Sequence, residues 1–235
     1  MSRKPPSVIS RIRRWLLRLT LLFLLLTLLP VAVLRWVPPP GSAVILQRWV
    51  AEGSPQTYDW TPLERIAPVA GLAVVAAEDQ KFPRHHGFDL DAIQDAVLER
   101  LDGGQLRGAS TLTQQVARNL FLWQGRSFVR KGLEAWFTAW IELLWPKRRV
   151  LEVYLNIAEM GERTFGVAPA SRRYFRREPA QLSREQAALL AAVLPNPVRL
   201  RADRPSDYVR QRQRWILRQM DQLGGTAYLR DILAR

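Results

Sequence analysis

The chain has 235 residues, with 35 lysines and arginines against 21 acids, two histidines and no cysteine. That length holds one sizeable domain plus an accessory segment, and the lack of cysteine excludes disulfides and thiolate metal sites. A net charge of +14 calls for an anionic partner: nucleic acid, lipid headgroups or a phosphorylated substrate.

Arg3, Lys4, Arg11, Arg13, Arg14, Arg18 and Arg35 all precede residue 37, with no acid among them. The sixteen residues LTLLFLLLTLLPVAVL between Arg18 and Arg35 are uncharged and lie between Trp15 and Trp36. With the flanking arginines snorkelling, such a stretch crosses a hydrocarbon core of roughly 30 Å. Six basic residues precede the span and only Arg35 follows it closely, which predicts a cytoplasmic N-terminus and an external main domain. A cleaved signal peptide is the alternative, but no A-x-A site follows. The expected organisation is a cytoplasmic basic tail over 1–18, a transmembrane anchor over 19–37, a linker over 38–60 that includes the stiff VPPPGSA, and one domain over 61–235.

Beyond the linker no alternating β-branched run suggests a sheet, so the expected class is all-α. Thr61-Pro62-Leu63-Glu64 has capping-box form and opens a helix to Glu78, with a kink expected at Pro68. Asp89 caps a helix through Leu101 that Asp102-Gly103-Gly104 stops, followed by a loop over 103–108. Thr111-Leu112-Thr113-Gln114 is a second capping box. A longer helix runs from Ser127 to Trp145, closed by Pro146. Lys147 to Met160 is helical by its apolar spacing. Ser183-Arg184-Glu185-Gln186 caps AALLAAVL, which Pro195-Asn196-Pro197 ends.

Three stretches carry groups suited to chemistry. Glu78 and Asp79 end an apolar helix, where the dipole favours cations instead. Solvated acids at a frayed end are the bland account; a partly desolvated carboxylate poised as general base is the sharp one. Phe82, His85 and Gly87 follow in a loop able to fold back over them, and adjacent His85 and His86 make a poor metal pair. In GASTLTQQVARNLFL, Thr111, Gln115 and Arg118 fall along one stripe, a polar face with a cation at one end. In RKGLE, Arg130 and Lys131 lie one turn before Glu134, either as a surface ion-pair cluster or as a diphosphate site.

Taken in order, AEDQKFPRHHG, GASTLTQQVARNLFL, RKGLE, KRRVLEVYLNIAEMG and AALLAAVLPNP resemble the five motifs of the peptidoglycan glycosyltransferases, family 51. The layout is similar to that of the monofunctional biosynthetic members. The resemblance implies a lysozyme-like helical lobe, a smaller membrane-apposed lobe and a cleft between them. It implies a bacterial inner-membrane protein, N-terminus cytoplasmic and catalytic domain periplasmic, that polymerises lipid II into β-1,4 glycan strands with release of polyprenyl diphosphate.

By the same resemblance Glu78 is the base and Glu134 the second essential carboxylate. Asp79, Phe82, His85, Thr111, Gln115 and Arg118 shape the cleft and bind sugar or phosphate, and Arg130 and Lys131 contact the donor phosphates. Arg118 stands where the family usually has Lys. The implied partners are lipid II, the lipid-linked glycan chain, the membrane and other cell-wall synthesis and division proteins, with no nucleic acid. The resemblance fixes no cofactor; a divalent cation is a candidate aid to the diphosphate leaving group. Phe121, Leu122, Trp123, Phe128, Trp136 and Trp140 offer a candidate membrane-dipping surface. The competing readings are a lytic glycoside hydrolase and a non-enzymatic membrane-tethered binder of anionic polymer. No serine is followed three residues on by lysine and K-T-G is absent, so the serine transpeptidase machinery is missing.

Overall fold

The computed structural model describes residues 8–101, 110–125 and 127–234. The expected stop at Asp102-Gly103-Gly104 and the loop over 103–108 lie outside the described residues. The chain divides into two compact units, 1–37 and 38–235.

The first unit is a single helix, α1 (Val8–Leu34), long and apolar enough to cross a membrane. It starts well before the uncharged stretch because Ile9, Ile12 and Trp15 continue its apolar character among the arginines. Its Thr27 hydroxyl donates to the Phe23 carbonyl at 2.8 Å, satisfying a polar group within the segment, as a hydrocarbon environment demands. The Arg35 guanidinium lies 5.1 Å from the Trp36 ring centre, a pairing suited to a membrane interface.

The second unit is predominantly helical, as its sequence implies. Its centre is α3 (Pro68–Glu78), in which every residue from Ala70 to Ala76 is buried. A helix that is apolar all round has to be enclosed. It packs against α9 (Arg184–Val193), α10 (Asp207–Gln222) and α7 (Lys147–Ile157). Close approach depends on small residues: a Cβ on Gly71 would stand 3.2 Å from Leu151 Cδ2.

Pro68 begins α3 instead of kinking it. Ala67, held extended at ψ 130° by the following proline, separates α3 from a 3-10 turn at Leu63–Arg65. Thr61 is fastened by its backbone: its N–H donates to Asn156 Oδ1 at 2.7 Å and its carbonyl accepts from Asn156 Nδ2 at 2.9 Å.

Residues 38–60 are not a free linker. They contain α2 (Ala43–Glu52), capped by Ser42, and β1 (Thr57–Tyr58). β1 pairs in parallel with β3 (Thr164–Phe165), which pairs antiparallel with β2 (Glu159–Gly161). Strands of two or three residues carry no alternation, so the sequence pattern does not reveal them. The other helices are α4 (Leu90–Leu101), α5 (Leu112–Phe121), α6 (Phe128–Leu144), α8 (Val167–Phe175) and α11 (Arg230–Leu233). Thr111 and Ser183 form complete capping boxes on α5 and α9, as the S/T-x-x-Q spacing predicts.

Within the expected membrane-dipping set, Phe128 is fully exposed and Trp123 partly so, whereas Leu122 is buried. The Leu122 carbonyl accepts from Gln47 Nε2 of α2 at 3.1 Å, which turns this residue inward.

Candidate active site

The two acids at the end of α3 face different surroundings. Asp79 leaves the helix with φ −160° and ψ 74°. Its Oδ2 accepts from the Leu112 backbone N–H at 2.8 Å, and its carboxylate is 2.9 and 3.0 Å from His85 Nε2. Leu112 is the first residue of α5. The acid therefore sits at the positive N-terminus of a second helix, which offsets its unfavourable place at the end of the first.

The Gly87 N–H donates to His85 Nδ1 at 3.1 Å, so Nδ1 is the acceptor and Nε2 carries the proton toward Asp79. The Thr111 hydroxyl donates to the Gly87 carbonyl at 2.7 Å. This ring of contacts fastens the loop after α3 to the start of α5. Phe82 is fully buried, with Lys147 Nζ 4.6 Å from its ring centre.

Gly87 closes the ring and has φ +83°; a Cβ there would meet Glu142 Cγ at 2.7 Å and Thr138 Cγ2 at 2.9 Å. Gly87→Ala is therefore expected to destabilise the fold by about 1–3 kcal/mol through backbone strain, with the clash adding to this. For a domain of this size that lowers the thermal midpoint by several degrees, on the order of 2–4 °C per kcal/mol. An unchanged midpoint would show that the loop accommodates the extra carbon.

Glu78, in contrast, is held but not saturated. Gln115 Nε2 donates to its Oε2 at 3.2 Å and an Arg212 terminal nitrogen to its Oε1 at 3.2 Å. The Tyr154 hydroxyl donates to Gln115 Oε1 at 3.1 Å, so a fully buried tyrosine fixes which end of the amide faces Glu78. Burial pushes the Glu78 carboxyl above its ordinary value; Arg212, the Gln115 hydrogen bond and Arg118 pull the other way.

Arg212 and Tyr154 were absent from the sequence-derived set. Tyr154 reads there as one position of an apolar stripe. Arg212 had a signal: on α10 the buried Val209, Ile216 and Met220 define the packed face, and Arg212 and Gln219 interrupt it with polar groups. Both reach the end of α3, Gln219 Oε1 accepting from Gln80 Nε2 at 2.9 Å.

Two cavities adjoin these groups. One, of about 210 Å³, is lined by Glu78, Asp79, Gln80, Lys81, Ser110 and Thr111 among others. The other, of about 460 Å³, is lined by Gln115, Arg118, Asn119, Arg130, Tyr154 and Glu159 with apolar neighbours. Gln115 thus links the carboxylate of the first to the wall of the second. Phe82, His85, Lys131 and Glu134 line neither.

Glu134 is 2% exposed and accepts from Arg130 at 2.8 Å and from Lys131. This is a buried carboxylate with two cations, not a solvated ion-pair face. Lys131 is half-exposed, whereas Arg130 is nearly enclosed and its Nε is buried with no hydrogen-bond partner. The Arg130 side chain also lines the larger cavity, where a guanidinium suits an anionic ligand. Among the described residues no three His, Asp or Glu side chains converge as metal ligands.

The transglycosylase family profile matches residues 44–221. The biosynthetic peptidoglycan transglycosylase of Pseudomonas putida strain F1 is 54% identical over 231 residues, covering 96% of this chain and 98% of the relative. That of Xylella fastidiosa strain 9a5c is 53% identical over 222 residues, covering 92% and 91%. That of Pseudomonas syringae pv. syringae strain B728a is 52% identical over 230 residues, covering 96% and 98%.

Proposed function

The chain belongs to the transglycosylase family, and from that premise we propose that Glu78 is the general base with which it polymerises peptidoglycan glycan from lipid II. The activity is peptidoglycan glycosyl transfer. The carrying observation is a buried carboxylate, oriented by Gln115 and Arg212, beside a cavity walled by Arg118 and Arg130.

The incoming lipid II offers a sugar 4-hydroxyl. Its oxygen attacks the anomeric carbon of the lipid-linked glycan while Glu78 takes the proton, and the α-linked diphosphate leaves with the bonding electron pair. A β-1,4 bond forms with inversion. Arg118 and Arg130 face the developing negative charge, the place where fixed cations accelerate transfer most. Glu134 holds Arg130 and Lys131 in place from the buried side. Asp79, paired with His85, and Thr111, bonded to the Gly87 carbonyl, fix the segment from which Glu78 projects, and Phe82 anchors its far side.

A glycosidase acting on a neutral leaving sugar has no use for two guanidinium groups in its cavity wall, which favours transfer over hydrolysis. Purified full-length chain incubated with labelled lipid II alone in detergent is expected to yield glycan polymer. Release of fragments from preformed glycan, with no polymer from lipid II, would support the hydrolase instead.

The apolar helix α1 anchors the chain. Its basic leading flank supports a reading in which the N-terminus lies in the cytoplasm and the catalytic domain is periplasmic, on the inner membrane. A reporter fused after Arg235 is expected to be active only outside the cytoplasm, and cytoplasmic activity would reverse this orientation.

A further inference from the structure

Glu159 is out of keeping with the cavity it lines. Among the described residues of that wall it is the one carboxylate, standing with Arg118 and Arg130. It opens β2 just after α7 ends at Ile157, so Tyr154, Ile157, Ala158 and Glu159 present successive positions to the same space. Its side chain is 12% exposed, and its Oε2 accepts from an Arg48 terminal nitrogen of α2 at 3.1 Å. Among the described residues no group donates to Oε1. Burial pushes the carboxyl up and Arg48 pulls it down.

A carboxylate in the wall of a diphosphate site repels the ligand, so its presence calls for a separate gain. Tying α2 to the body is one candidate. That task is already met by Gln47, which donates to the Leu122 carbonyl at 3.1 Å and accepts from the Gln124 N–H at 2.8 Å. A staple also has no need of a second carboxylate oxygen that accepts from no group among the described residues. What a carboxylate oxygen can bind there is a neutral donor, and a lipid-linked aminosugar carries two kinds: hydroxyls and acetamide N–H groups.

We propose that Glu159 is a sugar-recognition residue: its Oε1 accepts a hydrogen bond from a hydroxyl or acetamide N–H of the saccharide whose diphosphate lies against Arg118 and Arg130. Arg48 is its positioning partner, holding Oε2 and neutralising the carboxylate so that the diphosphate is tolerated beside it. This rests on the larger cavity being the donor diphosphate site. The residue then separates the two halves of the ligand, drawing in the sugar and opposing bare diphosphate.

That opposition gives the test. Full-length enzyme in detergent is assayed for lipid II polymerisation with and without inorganic pyrophosphate as competitor, in wild type, Glu159→Gln and Arg48→Gln, with thermal midpoints recorded. Glu159→Gln is expected to lower kcat/KM for lipid II by about tenfold, since a neutral acceptor bonds more weakly, while pyrophosphate inhibits it several-fold more tightly. Arg48→Gln, which breaks the same ion pair, is expected to weaken pyrophosphate inhibition several-fold. If Glu159 only staples α2, both variants lose stability in parallel and lipid II kcat/KM falls in each only as far as the loss of folded protein accounts for; that result overturns the proposal. Unchanged lipid II kcat/KM in Glu159→Gln overturns it as well. Failure of pyrophosphate to compete even in wild type would instead remove the donor-site assignment beneath it.

Discussion

Glu78→Gln is expected to lower turnover by roughly 10²–10⁴-fold, the usual contribution of a general base, with lipid II binding little changed. The substitution keeps the shape of the side chain but replaces the carboxylate with an amide, a far weaker base that does not take the proton. It also forces a choice: Gln115 Nε2 and Arg212 both donate to the carboxylate, and an amide has only one oxygen to accept from them. One contact is lost, so a small shift in thermal midpoint accompanies the kinetic loss without explaining it. Polymerisation under saturating lipid II, measured on protein shown to be folded, checks this. Turnover within a few-fold of wild type would mean that another group takes the proton.

Arg130→Gln is the second large effect. Arg130 does two things: it lines the larger cavity, and it holds Glu134, which is 2% exposed. Loss of a cation facing the leaving diphosphate is expected to cost about 2–4 kcal/mol in the transition state, a fall in turnover of roughly 30- to 1,000-fold. Stripping a partner from a buried carboxylate also destabilises the fold, by up to about 3–5 kcal/mol where no second cation remains. Lys131 still contacts Glu134, so the expected stability loss is smaller than that. Arg130→Lys separates the roles, because it keeps the charge but not the forked geometry. Stability recovered with turnover still low identifies the diphosphate contact; full recovery of both would reduce Arg130 to a charge partner of Glu134.

Local signals in the sequence located the elements that carry the site. The Thr111 and Ser183 capping boxes, Pro146 as helix stop and the apolar run of α3 each act within a few residues, and they appear where the pattern puts them. Pro68 starts α3 where the sequence pattern predicts a kink, because a proline is compatible both with a kink and with a first helical turn. Only the packing of Thr61 against Asn156, 95 residues away, settles which.

The same distance effect hid part of the site. Gln115 is legible in a polar stripe with Thr111 and Arg118, and Arg130 in a charged cluster with Lys131 and Glu134. Arg212 lies 134 residues from Glu78 and Arg48 lies 111 from Glu159, and no local pattern connects such pairs. The opposite fates of Glu78 and Asp79, adjacent in the chain, likewise depend on α5 bringing its N-terminus to one of them and not the other.

The central claim is that Glu78 works as a base from a desolvated position, and the acid limb of the wild-type pH profile tests it most directly. A base must be ionised, and burial holds this carboxyl above its ordinary value of 4.5 more strongly than Arg212, Gln115 and Arg118 lower it. Because kcat/KM reports the free enzyme, its value for lipid II polymerisation is predicted to fall, as pH is lowered, through a limb placed above 4.5. A limb at or below 4.5, or activity that persists unchanged through that range, would contradict the assignment.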